Sequence, residues 1–462
     1  MKTKISILFL ICVIFLTSGF GCTNSIDKYT QKKMQPITLN YWRVWDESDD
    51  FAEIINKYEG MHSNIHINYR KLRYSEFQKE LLEALAVDRG PDMLSVHNTW
   101  IREYKNKEWI SPMPEKITMI YPKVKGKIKQ EVIYDKKIIK TITPLKLKNS
   151  FIDTVYNDVV IDNKIFGLPM FVDTMVMYYN RDLFNNAGIT SIPKLWDIEF
   201  QQDVKKLTKQ NSKGEIIQSG VALGGSKNIE RSTDILSILM MQSGAIMQEG
   251  NQIKFHQKPS AFKDRSYAPG ADALRFYTDF SNPAKEVYSW NNDLDNSVDM
   301  FVKNKLAIMF GYSYLLPQIK SRAPKLNFGV SELLQLTDPE KGGTRINFAN
   351  YWVETVSSKS KHKEEAWDFI RFATEKKQAE LYLNKTKKPT ALRSLIETQL
   401  KSEDTQIPAS QLLTAKSWYR GNNANAMEKI IKEMINSAII GKQDYQEIIN
   451  LAASKVQQTI NK

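Results

Sequence analysis

Two carboxylates and a set of tryptophans are the residues of this chain best suited to handling a small polar molecule. Asp173 sits inside the β-branched and aromatic run 172–179, where a lone carboxylate must be hydrogen-bonded or face a cleft. Asp46 ends the segment Trp42-Arg43-Val44-Trp45-Asp46, which is unusually polar for a core, and Trp100 closes the segment His97-Asn98-Thr99-Trp100. Aromatic faces give stacking surface, and carboxylates and amides accept or donate hydrogen bonds, so such a set suits binding. The same Asp46 and Asp173, taken as an acid and base pair, would instead suit a carbohydrate-active hydrolase, and loss of turnover in Asp173→Asn would separate the two readings. The five histidines, at 62, 66, 97, 256 and 362, lack metal-ligand spacing. No Gly-x-Ser-x-Gly elbow or dinucleotide fingerprint is present, and Gly224-Gly225-Ser226-Lys227 lacks the spacing of a phosphate loop. No metal, cofactor or catalytic residue is expected.

Each aromatic also has a plainer role. Trp42 and Trp45 would serve as core aromatics, Trp100 as packing under a helix over 101–109, and His97 and Asn98 as ordinary loop residues. The elements around them decide where they point. Ile37, Leu39 and Tyr41 alternate with polar residues as a strand does; Ser48 can cap a helix carrying Phe51, Ile54, Ile55 and Tyr58; Ile65, Ile67 and Tyr69 make a second strand. Ser75 with Gln78 forms a capping box for a helix whose stripe is Phe77, Leu81, Leu82 and Leu85, and Gly90-Pro91 stops it before a strand over 92–96. Alternating β-α-β-α-β implies a mostly parallel sheet covered by helices, hence an α/β fold. Ligands of such sheets bind beyond the carboxyl ends of the strands, which singles out residues 42–46 and 97–100.

With 462 residues, two domains of ordinary size are favoured over one large core. The formal net charge of +13 comes from lysines scattered along the chain, a solvated surface more than a nucleic-acid footprint. The scatter has one dense exception within 113–150, where Lys116, Lys123, Lys125, Lys127, Lys129, Lys136, Lys137, Lys140, Lys146 and Lys148 alternate with Ile, Val and Leu. This reads as an exposed hairpin, either a solvated basic insertion or a contact with anionic envelope material. At the N-terminus, Lys2 and Lys4 precede an apolar stretch over 5–16, the pattern of a secretory signal. Cys12 would be lost with it, leaving Cys22 as a lone thiol at the start of the mature chain, with no disulfide possible. That arrangement resembles a bacterial lipoprotein, with 1–21 as signal and 22–35 as a polar tether, although Gly19-Phe20-Gly21-Cys22 lacks the usual leucine; plain secretion or an uncleaved anchor are the alternatives.

A family resemblance runs through nearly the whole chain after residue 35. Asp162-Asn163-Lys164-Ile165-Phe166-Gly167-Leu168-Pro169, then Tyr178-Tyr179-Asn180-Arg181-Asp182-Leu183-Phe184 and Ala187-Gly188, resemble the signature of the family 1 extracellular solute-binding proteins, the maltose-binding-protein-like receptors of ABC importers. Gly90-Pro91-Asp92-Met93, Tyr288-Ser289-Trp290-Asn291, the segment 303–309 and the segment 360–370 continue it in order. There are departures: Leu195 replaces a helix-capping threonine, leaving Asp197 to cap; Asn304 replaces a glycine; the crossing at Ala349-Asn350-Tyr351-Trp352-Val353 lacks both of its glycines; Lys388 sits where small residues are common.

The resemblance implies a two-lobed periplasmic-binding-protein type II fold with three chain crossings, near Val172, Tyr351 and Lys388-Pro389. Residues 36–171 and 351–388 would form one lobe, carrying the 113–150 insertion, and 172–350 with 389–462 the other. It also implies capture of a sugar or similar polar solute by hinge closure, and delivery to ABC permease subunits by a lipid-anchored, extracytoplasmic monomer with no nucleic-acid partner. The implied ligand contacts are Trp42, Trp45, Asp46, Asn98, Trp100, Asp173, Trp290, Gly311, Tyr312, Tyr351, Trp352, Arg393 and Trp418, with lipid on Cys22. An envelope-binding, adhesin-like role for the basic insertion is the remaining alternative. On the binding reading, Trp42, Trp45, Trp290 and Trp352 should face one crevice.

Overall fold

A computed structural model of the chain describes residues 27–125, 131–262 and 266–460. The signal segment, Cys22 and the lysines at 127 and 129 lie outside them.

The expected β-α-β-α-β start is present. Strand Ile37–Val44 pairs in parallel with Ile65–Leu72 along its whole length and with Met93–His97. Strand Trp352–Ser357 returns from far along the chain to run antiparallel to Met93–His97, and Ile110–Ser111 closes this five-stranded sheet. Helix Ser48–Met61 begins one residue after its Glu47 cap, whose amide donates to Asp50 at 2.9 Å. It buries Phe51, Ile54, Ile55 and Tyr58, the 3.6-residue stripe read from the sequence. Helix Tyr74–Ala86 starts one residue earlier than Ser75 and has no side-chain cap. Its stripe is narrower than expected: Phe77 and Leu81 are buried, while Leu82 is exposed. The helix after Trp100 ends at Asn106, because Glu108 takes a left-handed φ of 56°.

A second five-stranded sheet has the order Lys209–Gln210, Ile216–Val221, Leu306–Gly311, Val176–Asn180, Phe328–Ser331. Val176–Asn180 is buried throughout, as its apolar run implies. Asp197 does cap the following helix, Ile198–Leu207, accepting from the Phe200 amide at 3.0 Å. Asn304 holds the left-handed turn expected of it, at φ 60°. Helices Ser232–Gln242, Pro269–Asp279, Ala424–Ile440 and Tyr445–Ile460 pack together.

Between the two sheets lies a small third one, where Asn347–Asn350 is flanked by Asp173–Thr174 and Ala415–Lys416. The run 172–179 is therefore two strands, not one, with Met175 between them. The Val172 amide donates to the Pro389 carbonyl at 3.2 Å, so the chain passes that begin at Val172 and at Lys388-Pro389 lie side by side. Tyr351 separates the third-sheet strand Asn347–Asn350 from Trp352–Ser357 in the first sheet. The molecule thus has two α/β halves joined at this small sheet.

Residues 27–35, read as tether, include the helix Lys28–Lys33, which Lys33 ties to Glu364 and Glu365 at 2.6 and 2.7 Å. The insertion is a ten-pair antiparallel hairpin, Lys116–Lys125 with Glu131–Lys140. One face is not solvated: Ile117 and Met119 are buried against helix Lys363–Ala373. No helix among the described residues is long and apolar enough to cross a membrane.

Candidate functional site

The first sheet's strands end at a cleft. Strand Ile37–Val44 delivers Trp45 and Asp46, strand Ile65–Leu72 is followed by Tyr74, and Met93–His97 ends at His97 and leads to Trp100. Trp352, the first residue of its strand, completes that wall. From the other half come Glu230, Arg231, Ser313 and Tyr314, and from the junction Asp173, Asn350 and Lys388. Together they enclose a cavity of about 640 Å³.

The wall is a continuous aromatic surface. Trp45 stacks on Tyr74 with centroids 5.7 Å apart and planes 20° from parallel, and Tyr74 stacks on Trp100 at 6.1 Å and 21°. Trp352 stands edge-on to both Tyr74 and Trp100, at 6.1 and 5.5 Å. Across the cleft, Tyr314 lies nearly parallel to Trp45, 6.3 Å away and 14° off. Trp45 is 53% exposed and holds φ at 77°, a left-handed conformation that is an outlier for a bulky residue. Strain of this kind persists where surrounding structure imposes it, and here it turns the indole out of the strand direction into the cleft.

Beneath the wall is a buried ionic network. Arg43 Nη2 donates to Asp46 Oδ2 at 2.6 Å, and Nη1 faces Glu354 Oε1 and the Tyr41 hydroxyl, both at 3.1 Å. Tyr41 donates to Glu354 at 2.5 Å, Tyr382 donates to Asp46 at 3.2 Å, and Lys388 pairs with the other Asp46 oxygen. Burial pushes the Asp46 carboxyl up, but Arg43 and Lys388 outweigh it and hold it below the usual carboxylate range. For Glu354 burial wins over Arg43, and its carboxyl is raised. Asp46 is therefore a cleft residue whose oxygens are already taken, a poor general base.

Asp173 is bound as fully. Its Oδ1 accepts from the amides of Thr174 and Ser313 at 2.9 and 3.1 Å, and Oδ2 from the Ser313 hydroxyl and the Tyr314 amide at 2.8 and 3.3 Å. Burial lifts its carboxyl to about 6 despite these bonds. Asp173 thus fastens the loop that presents Tyr314. His97 is pushed down to about 4 by burial and by Arg231, so it stays neutral at ordinary pH, with Nε2 3.2 Å from Asn350 Oδ1.

Of the residues singled out from sequence, Trp45, Asp46, Trp100, Asp173 and Trp352 meet at this cleft. The others lie elsewhere. Trp42 is buried on the other side of its strand, under the Arg70 guanidinium at 4.8 Å. Trp290 is fully buried, its indole N–H bonded to Asn228 Oδ1 at 2.9 Å, so Trp42 and Trp290 do not join Trp45 and Trp352 in one crevice. Tyr351, next to Trp352, points the opposite way and donates to Asp158 at 2.8 Å, as alternation along extended backbone requires. Asn98 donates to the same carboxylate at 3.1 Å. Tyr312 donates inward to Asp234 at 2.6 Å, and a side chain at Gly311 would come within 2.4 Å of Leu315. The loop's contribution to the cleft comes two residues later, at Ser313 and Tyr314. Trp418 is buried with its indole N–H on Ser237 at 3.1 Å. Arg393 is engaged outside the cleft, by the Phe151 carbonyl and Asp153 at 2.8 and 2.7 Å. Tyr74, Glu230, Arg231, Ser313, Tyr314, Asn350 and Lys388 were not singled out. Tyr74 had a signal, since it follows the second parallel strand just as Trp45 and Trp100 follow the first and third.

Residues 45–380 match the family model of bacterial extracellular solute-binding proteins, which spans most of the chain. The chain belongs to that family. A binding protein of Brucella abortus is 25% identical over 332 residues, 71% of this chain and 68% of that one. The multiple sugar-binding protein of Streptococcus mutans is 21% identical over 393 residues, 84% and 83% of the two chains. Among solved structures, the cyclic alpha-maltosyl-1,6-maltose binding protein of Arthrobacter globiformis aligns with a TM-score of 0.69 at 17% identity, covering 92% of this chain and 99% of that one. The two halves seen here are thus the two lobes of a solute-binding protein, with the aromatic cleft between them. The relatives are binding proteins, not enzymes, in keeping with an Asp46 and an Asp173 that are both committed to their own chain.

Proposed function

We propose that this solute-binding protein captures a sugar or oligosaccharide and delivers it to ABC permease subunits as an anchored extracytoplasmic monomer. The observation that carries the reading is the aromatic wall Trp45-Tyr74-Trp100-Trp352 facing Tyr314 across a cavity of about 640 Å³. Flat, amphipathic rings present the apolar faces of sugars with a matching surface, and the polar groups between them bond hydroxyls. Charge favours a neutral ligand. Arg231 already faces Asp234 and Glu428, Lys387 faces Asp404, and Lys388 faces Asp46. Names of the relatives, including multiple sugar-binding and galactooligosaccharide-binding proteins, support the same class.

Closure brings Tyr314 of one lobe over Trp45 of the other, so a solute held between the lobes beside this pair stabilises the closed form by differential contact. Residues 36–171 with 351–393 form the first lobe and 172–350 with the chain after 393 the second; the boundary is set past Arg393 because its partners Phe151 and Asp153 belong to the first lobe. The Cys22 thiol carries a diacylglycerol.

Calorimetric titration with neutral mono- and oligosaccharides is the test: a saturable heat with at least one of them is expected, and silence across sugars and polyols overturns the reading. With the bound sugar in hand, Trp45→Ala should cost about 2 kcal/mol of affinity, roughly thirtyfold in Kd, since a central aromatic anchor carries that much in well-packed sites. An unchanged Kd would remove Trp45 from the contacts.

A further inference from the structure

The lysine hairpin and the N-terminal helix share a face, and the chain that leads to Cys22 leaves from it. In the hairpin register Lys116 pairs with Lys140, Thr118 with Ile138 and Ile120 with Lys136, and cross-strand partners point to the same side of a two-stranded sheet. Lys136 Nζ lies 4.3 Å from the centroid of the Tyr29 ring, which places helix Lys28–Lys33 over this side and accounts for the burial of Ile120. Elsewhere on this side Thr118, Pro122 and Tyr134 are half-buried, and the rest of its described residues are exposed. Lys116, Lys136 and Lys140 are exposed, and between them Ile138 is 64% and Tyr29 41% exposed, with Val132 52% exposed further along the strand. Lys28 and Lys32 add exposed charge from the helix, so these five lysines outnumber the neighbouring acids Asp27, Glu115 and Glu364, the last of which is already paired with Lys33.

Basic residues interleaved with exposed aliphatics suit one kind of surface in particular. Water-exposed isoleucine and valine gain by entering the headgroup region of a bilayer, while lysines around them are drawn to anionic lipid. We infer that this face docks on an anionic phospholipid bilayer, laying the receptor against the membrane to which it is tethered. The inference rests on the anchor reading for its geometry: Asp27 follows Cys22 by five residue steps, a reach of at most roughly 18 Å. A lipid on Cys22 therefore keeps the patch at the bilayer surface, where a short tether turns weak attraction into stable contact. It also fixes how the cleft presents itself to the permease.

The mature chain carrying Cys22→Ser removes the acyl group from the measurement. It should co-sediment with vesicles of phosphatidylglycerol and phosphatidylcholine, not with phosphatidylcholine alone, and salt should release it. The triple variant Lys116→Glu/Lys136→Glu/Lys140→Glu should lower partitioning by at least about a hundredfold, given roughly fivefold per lysine, with sugar titration unchanged as proof of folding. Equal binding to both vesicle types, no binding to either, or no effect of the triple variant would overturn the inference. So would a preference for soluble poly(glycerol phosphate) over vesicles, which would point to a wall polymer. Incorporation of labelled palmitate into the Cys22 chain is read separately: its absence removes the anchor, while the vesicle arm alone judges the patch.

Discussion

Replacing Arg43 with methionine is expected to destabilise the fold by about 3–5 kcal/mol, the cost of breaking a buried ion pair from one side. Arg43 is fully buried, and its guanidinium lies between Asp46 at 2.6 Å and Glu354 at 3.1 Å, 4.3 Å from the centroid of the Phe51 ring. Burial opposes its charge, but Glu354, Tyr41 and Asp46 outweigh that and hold it protonated well beyond its ordinary range. Methionine fills the volume and leaves two carboxylates in a site that no longer neutralises them. Asp46 keeps Lys388; Glu354 keeps only neutral hydroxyls, those of Tyr41 and Ser95. Glu354 already has a raised carboxyl, and in the variant it should rise further and take up a proton. A carboxyl raised in the fold costs stability as pH climbs past it, so the deficit should be larger at pH 8 than at pH 5. Urea unfolding at both values measures it. Adding Glu354→Gln to Arg43→Met should recover part of the loss by removing the unpaired charge. A deficit below about 1 kcal/mol, or one independent of pH, would show that the network is solvated enough to do without its cation.

What sequence revealed of this site, and what it hid, follow from the range of the contacts. The parallel sheet was legible because periodicity is local, and the carboxyl-end rule then placed Trp45, Asp46 and Trp100 in the cleft. The same rule applied to the second strand would have given Tyr74. The errors came where a side chain's direction depends on a distant partner. Trp290 satisfies its indole on Asn228, and Tyr351 and Asn98 converge on Asp158, none of which spacing along the chain encodes. Gly311 and Tyr312 mark the right strand end, but the strand's last residues are turned into the lobe, and the cleft is met two residues on. Arg43 helps make the segment 42–46 read as too polar for a core. It is instead the buried base of the site, because its charge is matched by Glu354, which lies more than three hundred residues away.

Asp173 fastens the loop that carries Tyr314 to the junction, and its removal should be felt in stability and in the pose of Tyr314. Asp173→Ala would leave the amides of Thr174, Ser313 and Tyr314 without their acceptor, an expected loss of about 3 kcal/mol at roughly 1 kcal/mol for each orphaned donor. Asp173→Asn isolates the charge. It retains one acceptor oxygen and loses the titration. The carboxyl's ordinary value of 3.8 is raised to about 6 by burial, so the folded protein holds this proton over a window in which the unfolded chain has released it. The group's contribution to stability is thus complete below about pH 4 and is lost as pH rises through about 6, a fall of about 3 kcal/mol for a rise of about two pH units. Carboxylates held low, such as Asp46, work in the opposite direction, so the wild-type curve alone will not show it. The difference between wild type and Asp173→Asn should: the variant's relative stability rises between pH 4 and 7, then levels off. If that difference is flat with pH, the four hydrogen bonds at Asp173 offset its burial, and the carboxylate is ionised throughout. Sugar affinity reports the other half of the role, because Tyr314 N–H and Ser313 both hang on Asp173. Asp173→Ala is expected to weaken binding without any direct contact to the sugar, and the loss should shrink in a Tyr314→Ala background, where no ring remains to be misplaced.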